Sequence, residues 1–79
     1  MQAVRRLGTT PRERGDTTGV SGSPDILELD DGTFAVIGLD ITDELGQRPL
    51  RDARCATNER IVQISRRTLI AAKKDIPEG

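Results

Sequence analysis

Asp31-Gly32 stands between two runs of strand-forming residues, Asp25-Ile-Leu-Glu-Leu29 and Thr33-Phe-Ala-Val-Ile37. This dipeptide is the strongest short-range signal for a β-hairpin, because a type I′ turn needs positive φ at both central residues. A two-residue turn sets Asp30 opposite Thr33, Leu29 opposite Phe34, Leu27 opposite Val36 and Ile26 opposite Ile37. Leu27, Leu29, Phe34 and Val36 then share one face of the ribbon. Ile26 and Ile37 lie on the other face, which Leu39 and Ile41 extend. A solvated face would alternate apolar with polar; here both faces are apolar at the centre, so each needs cover.

Downstream, Arg60-Ile-Val-Gln-Ile-Ser65 reads as a third strand and Ser65 as a helix N-cap. The helix runs from Arg66 to about Ile76, with Leu69, Ala72 and Ile76 as its apolar stripe. Lys73 and Lys74 suit the helix dipole, and Pro77 ends the helix. Between strands lies a long polar loop, 42–59, in which Thr42-Asp-Glu-Leu45 fits one helical turn. Residues 1–23 hold only Val4, Leu7 and Val20 as branched apolar residues, so a disordered tail is expected there. Residues 24–79 then form a single small domain. The fold class is α+β: a three-stranded antiparallel sheet, made of the β-hairpin plus a third strand, with one C-terminal helix. So few large apolar residues make a marginal monomer, and a partner or a second copy would help it.

The sequence has no His, Trp or Tyr and a single cysteine, Cys55. Without His there is no Cys–His nucleophile, and the commonest general base and metal ligand are both missing. Ser21, Ser23 and Ser65 have no base to activate them. Asp40, Asp43 and Glu44 lack the spacing of a calcium loop, and Gly19-Val-Ser-Gly22 lacks the Lys of a phosphate loop. No enzyme activity, cofactor or metal is therefore expected. Basic and acidic residues nearly balance, 12 against 13, and aromatic stacking residues are missing, so direct nucleic-acid binding is not expected. No stretch reaches the roughly 18 apolar residues that span a membrane. The basic start lacks the apolar run of a secretory signal, and a small domain without disulfides fits a reducing, cytoplasmic setting.

This leaves binding. One short helix covers one face of the sheet, and the face with Phe34 is the expected one. Either Leu45 and Leu50 fold over the other face, or Ile26, Ile37, Leu39 and Ile41 form a contact surface with Arg66 and Arg67 at its rim. Those two arginines sit where the helix dipole disfavours positive charge; either they hold an anionic partner group, or they are solvated or pair with Asp52, Glu59 or Asp75.

The order of elements resembles that of small streptomycete-type accessory proteins encoded beside helix-turn-helix regulators, the BldB-like group. The resemblance lies in a short strand (25–29), a turn, a second strand of F-A-V-x-G-x-D type (34–40), a gap, a third strand and a closing helix. It covers about 50 residues and includes no catalytic or ligand-binding motif. This chain lacks the Trp residues of that group; Leu69 or Ile70 stands in the helical position. The resemblance implies a protein-binding adaptor or modulator of a transcriptional regulator. The other reading is a small auxiliary subunit of a larger enzyme assembly in specialised metabolism. A homodimer is open in both.

Overall fold

A computed structural model describes residues 1–16 and 23–79. The order is β1 (Ala3–Arg6), α1 (Pro11–Arg14), β2 (Asp25–Leu29), β3 (Phe34–Ile37), β4 (Leu39–Asp40), α2 (Thr42–Leu45), β5 (Val62–Gln63) and α3 (Arg66–Ala72), which runs on into a 3₁₀ turn, Lys73–Asp75. The fold is α+β, with a three-stranded antiparallel sheet in the order β1-β2-β3 and a C-terminal helix. A separate two-stranded sheet pairs β4 with β5.

The hairpin forms where the sequence places it, but one residue out of the expected register. Asp25 pairs with Ile37, Ile26 with Val36, Leu27 with Ala35 and Glu28 with Phe34. The connection has three residues, not two. Leu29 N–H donates to the Thr33 carbonyl at 2.8 Å, and Gly32 N–H donates to the Leu29 carbonyl at 3.1 Å. Only Gly32 takes positive φ, +86°, so this is a type I turn closed by a glycine bulge. A type I′ turn would force Asp31 to positive φ as well. Asp31 instead stays in the ordinary region and accepts hydrogen bonds from the Thr33 N–H and hydroxyl at 3.0 and 2.5 Å. A one-residue slip reassigns the faces. Ile26, Glu28, Phe34 and Val36 now share one face; Leu27, Leu29, Ala35 and Ile37 share the other.

The third strand is not the expected one. Residues 1–16 are not a disordered tail: β1 pairs antiparallel with β2, Arg5 opposite Glu28 and Arg6 opposite Leu27, with a bulge between Ala3 and Arg5. Asp30 N–H reaches the Gln2 carbonyl at 2.9 Å. Residues 17–22 of the expected tail, with Gly19-Val-Ser-Gly22, lie outside the described residues. The 60–65 segment does form a strand, β5, but it pairs with β4 (Leu39 opposite Gln63, Asp40 opposite Val62). Gly38 permits this crossing. A Cβ there would stand 2.3 Å from the Gln63 carbonyl oxygen.

Composition understated the N-terminal segment because its partners lie elsewhere in the chain. Leu7 is 2% exposed and packs with Ile26 and Ala72, with Ile64 against them. Arg5 pairs with Glu28, and Arg6 grips Asp25 with both Nε (2.8 Å) and Nη2 (3.0 Å). Arg5 Nη2 donates to the Asp75 carbonyl at 2.8 Å, and Gly8 N–H donates to Asp75 Oδ2 at 2.7 Å. The first strand is thus tied to the end of the last helix. α1 carries a complete capping box, in which the Thr10 hydroxyl accepts from Glu13 N–H and the Glu13 carboxylate accepts from Thr10 N–H.

Ser65 caps α3 as expected, accepting from Thr68 N–H at 3.1 Å. The buried stripe differs. Thr68 and Ala72 face inward, whereas Leu69, Ile70 and Ile76 are more than half exposed, and Ile76 lies beyond the last helical turn. The one-turn helix at Thr42–Leu45 is present. Leu45 and Leu50 remain exposed and do not close over the sheet.

Leu7→Ala is expected to lower the unfolding free energy by about 2–4 kcal/mol in a urea titration, the usual effect of deleting a fully buried leucine. A residue in a tail would show none of this loss.

Candidate functional site

The six residues expected to form a contact surface do not lie together. Ile26 is 8% exposed and belongs to the core, because the register slip turns it toward Leu7 and Ala72. Ile37 lies on the opposite face of the sheet, 46% exposed. Leu39, just beyond Gly38, is 68% exposed. Ile41 is half-buried, its N–H donating to the Ile61 carbonyl at 2.9 Å. Arg66 and Arg67 are exposed at the start of α3.

Of these six only Leu39 lines a cleft. The cleft has a volume of about 440 Å³ and is lined by Asp16, Ser23, Pro24, Leu39, Gln63, Ile64 and Ser65. Leu39 comes from β4, Gln63 from β5 and Ser65 from the α3 cap, so the cleft lies where the small sheet meets the helix start. Asp16, contributed by the expected tail, sits 3% exposed at its side.

Asp16 is a buried carboxylate held from two sides. Arg14 Nε donates to its Oδ2 at 2.7 Å, with both side chains almost fully buried. The Thr68 hydroxyl donates to the same oxygen at 2.9 Å. Arg67 Nε stands 3.6 Å from Oδ1. Arg14 also donates to the carbonyls of Thr9 and of Pro24, the latter at 2.6 Å. The guanidinium therefore joins the end of α1 to the start of β2, while Asp16 ties that junction to α3. The Arg14 hydrogen bond holds the Asp16 carboxyl down at about 2, helped by Ser65 and Thr68.

This cluster was missed in the sequence, although one signal for it was present. Thr10-Pro-Arg-Glu13 matches the capping-box pattern with proline at the first helical position. That pattern places a helix turn within 1–23 and orients Arg14 at its end. Nothing in the sequence ties Asp16 to Thr68, 52 positions away.

A second clasp holds the small sheet. Asp40 accepts from the Thr42 hydroxyl at 2.7 Å and N–H at 3.0 Å, and from Arg60 Nε and Nη2 at 3.0 and 2.9 Å. The Thr42 hydroxyl contributes most to holding its carboxyl at about 2. Asp40 is thus occupied in anchoring α2 and the β4–β5 pair. Cys55 is buried, its N–H on the Gln47 carbonyl at 2.8 Å and its Sγ 3.3 Å from the Glu59 carbonyl oxygen. The Ser65 hydroxyl is shared with Thr68 at 2.8 Å. Each of these polar groups is committed to a structural hydrogen bond. Among the described residues no helix is long and apolar enough to cross a membrane.

The lowered carboxyl values fix the direction of acid sensitivity. An unfolded aspartate takes up its proton near pH 4, whereas folded Asp16 and Asp40 hold off to about 2. Their contribution to stability is complete above about pH 4 and is lost as pH falls toward 2. Unfolding followed by circular dichroism across that window is expected to lose stability steadily. Asp16→Asn is expected to be less stable at pH 7 and to show a shallower fall.

Comparison of the chain with protein-family models, curated proteins and solved structures finds no match.

Proposed function

We propose that this protein is a non-catalytic adaptor or modulator that works by docking onto another protein. The observation that carries this reading is the surface it leaves uncovered. The chain exposes 6187 Å², where a compact monomer of its size exposes about 4,700 Å². Its Cα radius of gyration is 13.6 Å, against about 11.6 Å for a compact domain of this length. The core consists of Leu7, Ile26 and Ala72, while Ile37, Leu39, Leu69 and Ile70 stay on the outside. These exposed apolar side chains offer contact area that a partner could cover.

The docking region is the cleft between Leu39 on the small sheet and Ser65 at the start of α3, with exposed Ile37 two residues before Leu39. Leu39 offers an apolar anchor at the cleft mouth, and Arg66 and Arg67 add exposed positive charge near it. An apolar centre with arginine at the rim is the ordinary anatomy of a protein interface. The absence of His and the structural commitments of Cys55, Ser65 and Asp40 favour binding over chemistry. The likeness in element order to the BldB-like accessory proteins points to a helix-turn-helix transcriptional regulator as the partner. It also favours a cytoplasmic setting.

Tagged protein is expected to retain that partner from its native host, identified by mass spectrometry. The Ile37→Lys/Leu39→Glu variant is expected to retain at least about tenfold less, the effect of losing a central apolar anchor. Unchanged circular dichroism would show the variant folded. Equal retention by both proteins would overturn the reading.

A further inference from the structure

The two edges of the three-stranded sheet are built differently. The β1 edge is broken by the bulge between Ala3 and Arg5 and carries Arg5 and Arg6. Bulges and charges of this kind protect an edge from pairing with another strand. The β3 edge, Phe34-Ala-Val-Ile37, has no charge, proline or bulge. Phe34, Val36 and Ile37 are each close to half exposed along it.

The register decides which backbone groups this edge offers. Leu29 bonds to Thr33, so Thr33, Ala35 and Ile37 turn their N–H and C=O groups toward β2. Phe34 and Val36 therefore turn theirs outward. Two outward residues separated by one inward residue make a self-complementary unit. If the same edge of a second copy approaches antiparallel, Phe34 of one copy and Val36 of the other exchange both backbone hydrogen bonds, and the two-fold axis repeats the exchange.

From this we propose that the β3 edge pairs with the β3 edge of a second copy, joining two three-stranded sheets into one of six strands. Phe34 then faces Val36 of the other copy, an aromatic against β-branched pair of the kind that stabilises neighbouring strands. Ala35 meets its own counterpart on the axis, where a small side chain lets the strands close. Thr33 faces Ile37 in the next pairs out. At net charge −1 the copies meet without appreciable long-range repulsion. This contact runs along β3, whereas the cleft is lined from β4, β5 and the start of α3, with Ile37 bordering both; the dimer does not depend on the adaptor reading.

Sedimentation velocity from micromolar to submillimolar concentration is expected to show a dimer. Val36→Pro removes an outward N–H while leaving the bonds to β2 in place, and is expected to weaken dimerisation at least tenfold. The axis brings the two Ala35 Cα atoms to about 4.5 Å, inside disulfide reach. Ala35→Cys is therefore expected to cross-link two copies on mild oxidation, whereas Thr33→Cys, well off the axis, is not. A wild type that stays monomeric throughout overturns the proposal. So does a folded Val36→Pro protein that dimerises as the wild type does. If Val36→Pro fails to fold, the cysteine pair decides, and cross-linking at position 33 but not 35 overturns it.

Discussion

Leu7 packed against Ile26 and Ala72 is the contact on which the fold rests. It joins the N-terminal segment, the hairpin and the C-terminal helix, which meet nowhere else through a fully buried apolar contact among the described residues. In a domain with so few large apolar residues, one buried leucine of about 2–4 kcal/mol is a sizeable share of a total stability of several kcal/mol. The bonds around it follow from that placement. Once Leu7 sits on Ile26, β1 lies beside β2, and Arg5 and Arg6 face Glu28 and Asp25. Gly8 and Arg5 then reach Asp75 at the end of the helix.

The ion pairs do a different task from the apolar contact. Exposed pairs such as Arg60–Asp40 add little each, because water competes for both partners. Arg14–Asp16 is different, being almost wholly withdrawn from water. Such a pair contributes modestly in net terms, yet losing either partner leaves an unpaired buried charge. Its value is geometric: Arg14 holds Thr9 and Pro24, Asp16 holds Thr68, and together they set the start of α3 relative to β2. That placement brings Ser65 and Leu39 to one cleft.

What the fold leaves outside is as informative as what it buries. One short helix turning Thr68 and Ala72 inward covers little of the sheet, and its other apolar residues, Leu69 and Ile70, face away. The second sheet consists of two residues on each strand and buries little of its own surface. Apolar surface is thus left exposed on the sheet and on the helix alike.

Features governed by neighbours three or four residues away were legible in the sequence. The Ser65 cap, the helix start at Arg66, the turn at Thr42–Leu45 and the existence of the 25–37 hairpin are of this kind. Their determinants are local hydrogen bonds between a side chain and nearby backbone. The Thr10–Glu13 capping box was equally local, and was outweighed by the poor apolar content around it. The hairpin register was not determined locally, because Asp-Gly serves a two-residue and a three-residue turn alike. The choice depends on whether Asp31 adopts positive φ or stays to hold Thr33. That one-residue difference moved Ile26 into the core and took Phe34 and Val36 to its side of the sheet. Nor was strand partnership determined locally. The 60–65 segment is a strand by composition, but Gly38 and the Asp40–Arg60 clasp give it to β4, while β1 takes the place beside β2 through contacts with residues about 20 positions away. The sequence by itself determined where the hairpin, the 60–65 strand and α3 lie; only the tertiary structure decided that residues 1–16 join the fold, which strands pair and which faces are buried. Pairing is settled by contacts between distant residues, whose burial and charge matching no local pattern encodes.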